Sequence, residues 1–233
     1  MKEDITPTVP RHVGYIIDGN RRWARQHGLP TYEGHLAGYD ALKQVLFESF
    51  ETGIHYVSVY AFSTENWKRD SGEVGKLMKL AMRVLGADLG EFIKRDIQIK
   101  VLGVADGLND KLVETARNAE AKTARLSGGT LCICFNYGGQ REIIDAARSI
   151  MAAGLAPAEI DEKVFEKHLY APDIPTVDVI VRTSGEQRLS NFMLWRAAYS
   201  EFIFLEKLWP DMRTDDVHAI IAEYQKRERR LGS

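Results

Sequence analysis

Six apolar runs, each followed by a polar or helical stretch, place the strongest constraint on how this chain of 233 residues folds. Most of the runs are apolar throughout, which is typical of strands buried on both faces of a parallel sheet. We place strands at HVGYIID (12–18), YVSVYAF (56–62), IQIKVLG (97–103), TLCICFN (130–136), VDVIVRT (177–183) and FIFLE (202–206). The alternation of strands and helices favours helical connections between parallel strands of one sheet. No linker divides the chain into two domains. The sequence therefore predicts a single α/β domain over residues 1–233, with a mostly parallel central sheet of about six strands and helices on both faces.

The amphipathic stretches between and after the strands predict the helices. They cover residues 36–52, 73–95, 110–126, 141–153 and 215–230. The stretch 73–95 carries more apolar residues than one core-facing stripe needs. This surplus, from Val74 to Phe92, fits the wall of an apolar cavity with Ala61 and Phe62 beside it, and it also fits ordinary core packing.

Composition and charge narrow the range of partners. A formal net charge of −2 gives no general attraction to nucleic acid or anionic lipid, so local groups of Arg and Lys must hold any phosphate. The polar amino terminus does not resemble a signal peptide, and no apolar run approaches the ~20 residues that a membrane span needs. We expect a cytoplasmic protein without a nucleic-acid partner and with at most peripheral membrane contact.

The two cysteines, Cys132 and Cys134, lie two residues apart in a predicted strand, so their side chains share one face. A disulfide between such neighbours has poor geometry. No further Cys or His residues stand at the spacing of a zinc site. We expect two reduced thiols packed in a buried strand.

Polar clusters follow three of the predicted strands. They cover residues 18–23 (DGNRRW), 63–69 (STENWKR) and 182–190 (RTSGEQRLS). Because ligands bind beyond the carboxyl ends of parallel strands, we expect the clusters to converge at one edge of the sheet. That edge would carry Arg21, Arg22, Arg69, Arg182 and Arg188 against Asp18, with Glu201 a little downstream. Arginine suits phosphate oxygens, and Mg²⁺ prefers one or two carboxylates plus substrate phosphates, so the pattern predicts a site for a magnesium diphosphate.

Two of the three clusters also have a plainer interpretation. Residues 18–23 fit an Asx turn that leads into a basic helix, and residues 63–66 fit a helix cap, which leaves Trp67 and Arg69 unexplained. His35 fits a capping role as well as a substrate contact. A nucleotide-binding enzyme is disfavoured because the sequence has neither G-x-G-x-x-G nor a Walker loop.

Taken together, the clusters resemble the signature blocks of one enzyme family, the cis-prenyltransferases. The blocks are HVGYIIDGNRRWA, the G-H-x-x-G of residues 34–38, STENWKR, NYGG, RTSGEQRLSNFMLW, AYSEFIF and a late WP, in the family's order. The resemblance covers nearly the whole chain and is to the undecaprenyl diphosphate synthase type. It implies a Mg²⁺-dependent transferase that adds isopentenyl diphosphate units to an allylic diphosphate, such as farnesyl diphosphate, with Z geometry.

The resemblance also implies roles for individual residues. Asp18 matches the catalytic aspartate that binds Mg²⁺, and Glu201 matches the second acidic residue linked to the metal. Asn66 matches a catalytic asparagine associated with proton removal from isopentenyl diphosphate. The contacts implied for the allylic diphosphate and the segment around it are Gly19, Asn20, Arg21, Arg22, Trp23, His35, Ser63, Thr64, Glu65, Trp67 and Arg69. The contacts implied for the diphosphate of isopentenyl diphosphate are Arg182, Arg188 and Ser190.

One further match bears on partners, and two departures from the family pattern bear on substrates. Arg230 and Gly232 match a carboxyl-terminal R-x-G that reaches the partner's site in homodimeric members, which implies a homodimer. Thr31 stands where many bacterial members have an arginine for the allylic diphosphate, and Arg21 stands where many have glycine.

Product length is not fixed by these motifs. The long helix and Ala61 favour a long-chain product of the undecaprenyl type, and a short- or medium-chain Z-prenyl diphosphate synthase is the alternative. A non-catalytic subunit of a heteromeric prenyltransferase is a further alternative. It is disfavoured because the chain keeps both the D-G-N-x-R and the R-x-x-G-E-x-R residues.

Overall fold

In the computed structural model, which describes residues 9–227, the six apolar runs form one sheet. The strands are β1 (His12–Ile16), β2 (Tyr56–Ser63), β3 (Ile97–Leu102), β4 (Gly129–Tyr137), β5 (Val179–Arg182) and β6 (Glu201–Phe204). Their order is β3-β4-β2-β1-β5-β6, and every neighbouring pair is parallel. The predicted fold class is confirmed. Because β2 and β5 flank β1 on opposite sides, the strand order switches direction at β1, which is where open α/β sheets bind ligands.

The five predicted stretches are helical with an error in one of them, and two further short helices, at Asn20–Gln26 and Glu162–Glu166, lie outside them. They are α1 (Asn20–Gln26), α2 (Thr31–Glu51), α3 (Ser71–Met82), α4 (Leu89–Lys94), α5 (Asp110–Thr123), α6 (Gly139–Ala152), α7 (Glu162–Glu166) and α8 (Thr214–Gln225). The prediction of one helix over 73–95 is wrong, because a π-helical turn at Arg83–Ala87 separates α3 from α4. Gly86 and Gly90 weaken the helix there, and the π turn admits one extra residue into the hydrogen-bond ladder.

Both faces of the sheet are covered. One face packs against α2, α3, α4, α5 and α8 in a core that includes Val59, Phe92 and Ile133. The other face carries a second apolar cluster that includes Cys132 and Cys134. Both cysteines are unbridged, as predicted, and burial raises the pKa of Cys132 to about 12. Between residues 9 and 227, no helix combines the length and the apolar character that a membrane crossing requires.

Candidate functional site

A cavity of about 1300 Å³ opens at the carboxyl end of the sheet and brings the three predicted clusters together. The predicted site residues that line it are Asp18, Gly19, Asn20, Arg21, Arg22, His35, Ser63, Glu65, Asn66, Arg69, Arg182, Arg188 and Ser190. The convergence follows from strand direction, since β1, β2 and β5 all end at this edge. The mouth of the cavity is therefore rich in arginine, as the sequence predicted.

Asp18 lies just beyond β1, between two arginines from different segments. Arg182 Nη2 donates to Asp18 Oδ2 at 2.9 Å, and Arg22 Nη2 lies 3.8 Å from Asp18 Oδ1. The backbone carbonyl of Asp18 accepts hydrogen bonds from Thr183 Oγ1 at 2.6 Å and from the Trp209 amide at 3.1 Å. These bonds fix the main chain of Asp18, while its side chain remains 33% exposed at the mouth of the cavity.

The loop after β5 is organised by Arg182, whose side chain is only 4% exposed. Its Nη1 donates to the carbonyl of Arg188 at 2.6 Å and to Ser190 Oγ at 2.7 Å. Arg22 reaches the same loop from α1 and donates to the carbonyl of Ser184 at 2.9 Å and to its Oγ at 2.5 Å. Within the described chain, Arg182 Nε is buried without a hydrogen-bond partner, which is the kind of donor that an oxygen ligand satisfies.

The G-H-x-x-G sequence lets α1 lie against α2. A Cβ atom at Gly34 would be 2.1 Å from the carbonyl oxygen of Asn20, and one at Gly38 would be 2.4 Å from Asn20 Oδ1. Only glycine permits this approach, because close-packed interiors do not absorb such overlaps. The packing holds the start of α1, and with it Arg21 and Arg22, at the cavity.

The second cluster forms a 3₁₀ turn at Thr64–Lys68 that begins with a capping box. The backbone amide of Ser63 donates to Asn66 Oδ1 at 3.1 Å, so the side chain of Asn66 both shapes the turn and lines the cavity. Trp67 Nε1 donates to Asn136 Oδ1 at 2.8 Å, which ties the turn to β4. The capping interpretation therefore accounts for the turn, and Trp67 serves as its anchor.

Glu73, in the first turn of α3, was not identified from the sequence as a site residue. Its carboxylate lies 3.0 Å from Arg69 Nη1, 3.4 Å from His35 Nε2 and 3.8 Å from Arg21 Nε. Burial lowers the pKa of His35, and the nearby carboxylate of Glu73 opposes only part of this shift. His35 is therefore neutral near pH 7 and can donate one N–H to the carboxylate. The only sequence signal for Glu73 is its position four residues after Arg69.

Thr31 and Asn191 also line the cavity, although neither was assigned a substrate contact from the sequence. Arg21, the second departure from the family pattern, lines the cavity as well, with a side chain that is 62% exposed. Arg21 thus places a positive charge at the mouth from α1, at a different position from Thr31.

In the described chain, Trp23, Thr64, Trp67 and Glu201 are the predicted site residues that do not line the cavity. Trp23 Nε1 donates to Asp211 Oδ1 at 2.7 Å, and its ring stacks on His27 with centroids 4.1 Å apart. These contacts satisfy the indole N–H away from the cavity. The roles of Trp23, Thr64 and Trp67 as substrate contacts stay predictions.

Glu201 lies at the opposite end of the sheet from Asp18. It pairs with Val179, the first residue of β5, while Arg182 at the other end of β5 contacts Asp18. Three residues of a strand span about 10 Å, so one chain does not bring the two carboxylates to the same metal ion. Glu201 Oε2 instead accepts a hydrogen bond from Arg227 at 2.9 Å. A link between Glu201 and a metal stays a prediction, and Arg230 and Gly232 lie outside the described residues.

Beyond its mouth the cavity is apolar and runs along the sheet. The residues of the sheet that line it are Val59, Ala61, Leu131, Ile133 and Phe135, and those of the helical side are Leu42, Leu77, Leu80, Ala81, Val84, Leu85 and Phe92. From Leu131 to the end of β4 at Tyr137 the strand rises about 20 Å. The prediction that the stretch 74–92 lines an apolar cavity is confirmed, but Phe62 instead packs against Phe135 and Trp67.

The mouth fits a divalent cation that arrives with a phosphate group. Among residues 9–227, no three Asp, Glu, His or Cys side chains gather into a metal cluster. Asp18 offers one partly exposed carboxylate, with Oδ1 3.8 Å from its arginine neighbour. Mg²⁺ is commonly held by one or two carboxylates together with substrate phosphates. The donor set therefore suits Mg²⁺ bound with a diphosphate better than a site made of protein ligands alone.

Comparison with known proteins agrees with this geometry. The family model described as putative undecaprenyl diphosphate synthase matches residues 16–232. An isoprenyl transferase of Thermotoga maritima is 44% identical over 227 residues, which cover 96% of this chain and 97% of that protein. An isoprenyl transferase of Staphylococcus haemolyticus is 40% identical over 228 residues, which cover 96% of this chain and 89% of that protein.

Two solved structures share the fold. Lavandulyl diphosphate synthase from Lavandula x intermedia, solved in complex with dimethylallyl diphosphate, has a TM-score of 0.92 and 34% identity, covering 97% of this chain and 99% of that chain. A probable undecaprenyl diphosphate synthase from Campylobacter jejuni has a TM-score of 0.82 and 30% identity, covering 97% and 100%. With the family model and the relatives matching over nearly the whole chain, the protein belongs to the undecaprenyl diphosphate synthase family and is a prenyltransferase of the cis-prenyltransferase fold.

Proposed function

We propose that the chain condenses isopentenyl diphosphate with an allylic diphosphate such as farnesyl diphosphate, in the presence of Mg²⁺, to give a long-chain Z-polyprenyl diphosphate of the undecaprenyl type. The observation that carries this proposal is one cavity with an arginine-rich mouth and an apolar interior. Such a cavity suits a molecule with an anionic head and a hydrocarbon tail. Its volume of about 1300 Å³ exceeds the ~300–1,000 Å³ of ordinary ligand pockets, which favours a long tail.

The basic groups at the mouth account for the first part of the chemistry. Arg21, Arg22 and Arg69 are assigned to the allylic diphosphate, and Arg182 and Arg188 to isopentenyl diphosphate. As the allylic C–O bond breaks, negative charge develops on the departing diphosphate, and positive groups already in place stabilise that charge most effectively. Mg²⁺ held by Asp18 would supply further positive charge to the same leaving group.

The apolar interior accounts for the second part. The allylic carbon becomes electron-deficient when the diphosphate departs, and the alkene of isopentenyl diphosphate attacks it. Residues such as Ala81, Leu85 and Ile133 exclude water that would otherwise trap the cationic carbon. The condensing unit then loses a proton to a base, for which the departed diphosphate is the acceptor that the reaction itself supplies. Asn66, whose amide carbonyl accepts from the Ser63 amide, is assigned to help remove this proton by orienting the condensing unit.

We also propose that the protein is a homodimer, as the match at Arg230 and Gly232 implies. The surface near β6, the edge strand of the sheet, exposes Tyr199 (77%) and Phe204 (38%) and is a candidate for the contact. Light scattering after size-exclusion chromatography tests this directly. A mass near 26.3 kDa at micromolar concentration would exclude a stable dimer.

The central test is incubation of the purified protein with farnesyl diphosphate, labelled isopentenyl diphosphate and Mg²⁺, followed by chromatography of the dephosphorylated products. Asp18→Ala should abolish product, and Asp40→Ala, an exposed carboxylate on α2, should behave as wild type. A Mg²⁺-dependent ladder of long Z-prenols supports the proposal. The absence of elongation from farnesyl, geranyl or dimethylallyl starters would overturn it.

A short-chain synthase is the second candidate, because the structural likeness to lavandulyl diphosphate synthase is high, with a TM-score of 0.92. It predicts that dimethylallyl diphosphate is an efficient starter and that synthesis stops after one or two additions. The same chromatography separates the two candidates by product length.

A further inference from the structure

The loop after β5 has a backbone that needs support from outside the loop. Ser190, Asn191 and Met193 have positive φ angles of 48°, 67° and 42°. Left-handed backbone costs free energy for residues other than glycine, although asparagine tolerates it better than most. Ser190 and Arg188 line the cavity. The contacts that stabilise this backbone therefore also determine the position of the basic loop relative to the cavity.

The first support is the start of α6. The Gly139 amide donates to the carbonyl of Asn191 at 2.7 Å, and the Gln140 amide donates to Asn191 Oδ1 at 2.8 Å. These are two of the unpaired N–H groups that begin a helix. A Cβ atom at Gly138 would lie 2.8 Å from Asn191 Nδ2, and one at Gly139 would lie 2.8 Å from Leu194 Cγ. The two glycines of the NYGG sequence thus let the loop pack closely against the start of α6.

The second support reaches across the sheet. Asn191 Nδ2 donates to Glu65 Oε1 at 3.0 Å. Glu65 belongs to the turn after β2, and β1 with Asp18 lies between β2 and β5. Burial alone would raise the pKa of Glu65, but hydrogen bonds from its own backbone amide and from Asn191 outweigh this and keep its pKa below the usual value. One asparagine therefore links the two polar segments on either side of Asp18.

We propose that Asn191 is a positioning residue that sets the distance between the basic loop after β5 and the turn after β2, and so determines the affinity for isopentenyl diphosphate. This inference rests on the proposed function. The position demands an amide, because its side chain must accept from Gln140 and donate to Glu65 while the backbone is left-handed. Aspartate lacks the donor, and glycine tolerates the backbone but makes neither contact.

The test is a double-mutant cycle with Asn191→Asp and Glu65→Gln. Asn191→Asp keeps the acceptor for Gln140 but places a second carboxylate against Glu65. The substitution removes the hydrogen bond from Asn191 to the charged Glu65, and the loss of such a bond corresponds to about a tenfold change or more in affinity. We therefore expect the KM for isopentenyl diphosphate to rise by about this factor, with a much smaller change in the KM for the allylic diphosphate. In the Glu65→Gln background the new amide can donate to the new carboxylate, so the same substitution should raise the KM several-fold less.

The outcomes separate the inference from the proposed function. Absence of elongation by the wild type would overturn the proposed function itself. With an active wild type, the inference is overturned by an unchanged KM in Asn191→Asp, by equal changes for both substrates, or by additive effects in the cycle. Asn191→Gly gives a second test should the first variant not fold, since it preserves the backbone and should show the same selective rise. Calorimetric titration with isopentenyl diphosphate alone measures the affinity independently of turnover.

Discussion

Replacement of Gly34 by alanine tests whether the packing of α1 on α2 controls the diphosphate site. The added Cβ would lie 2.1 Å from the backbone carbonyl oxygen of Asn20 and 3.0 Å from the Cβ of Ala24. No side-chain rotation relieves an overlap with backbone, so α1 must move by about 1 Å. Overpacking costs ~1–3 kcal/mol of folding stability, and we expect a value near the upper end. Alanine gains ~1 kcal/mol over glycine within a helix, so the net loss of folding stability is about 2 kcal/mol.

A loss of this size lowers Tm by about 4–8 °C in a chain of this length. Because α1 carries Arg21 and Arg22, a displacement of about 1 Å should also reduce kcat/KM by about 100-fold. The matched control is Gly75→Ala in α3, where an added Cβ meets nothing within 4 Å. This substitution should raise Tm by a few degrees through helix propensity alone and leave turnover near the wild-type value. A Gly34→Ala protein with wild-type Tm and wild-type kcat/KM would refute the packing argument.

Three further predictions concern other parts of the molecule. Burial lowers the pKa of His12 to about 4, below its unfolded value of 6.5, so the stability it contributes is complete above pH 6.5 and is lost as the pH falls towards 4. The loss amounts to about 3 kcal/mol. Urea unfolding between pH 7 and pH 4 should therefore show a loss of stability larger by about this amount in the wild type than in His12→Asn, and equal losses would contradict the prediction. Burial raises the pKa of both Cys132 and Cys134, so neither should react with a thiol reagent at pH 8 until urea is added; stoichiometric labelling of the native protein would contradict this. Ala81→Leu adds bulk inside the cavity and should shorten the prenyl products, whereas Ala87→Leu, at an exposed position, should leave their length unchanged. Equal product lengths in the two variants would argue against growth of the prenyl chain into this part of the cavity.

The strands and the convergence of the three clusters were predictable because they depend on local signals. Apolar runs such as 130–136 predict buried parallel strands, and the direction of parallel strands then fixes which ends meet. The surplus of apolar residues in α3, the π turn and α4 indicated a cavity wall, but it fitted ordinary core packing as well, and the structure decides between the two. The break at Arg83–Ala87 was not predicted, because a π turn leaves the apolar spacing on both sides nearly intact.

The residues that sequence reasoning missed act across distant segments. Glu73 meets His35, which lies 38 positions earlier, and Asn191 meets Glu65, which lies 126 positions earlier. Neither contact leaves a periodic or compositional trace, so only the packed structure reveals it. Trp67 shows the converse case. It belongs to a family block, yet its indole N–H bonds to Asn136 and holds a turn in place.

The charges at the mouth are arranged so that the basic groups are in place before any substrate arrives. Arg182 and Arg22 share Asp18, while Arg69 and Arg21 share Glu73. Arg182, whose side chain is only 4% exposed, is thereby held in one orientation, which reduces the conformational entropy that binding would otherwise cost. Asp18, which lines the cavity, would also repel a diphosphate bound at the mouth, because both groups carry negative charge. On the proposed function, a divalent cation bound with the diphosphate would offset this repulsion, so the arrangement would favour a metal-bound diphosphate over a free anion. Asp18 would then contribute to selectivity for the substrate together with the arginines of the mouth.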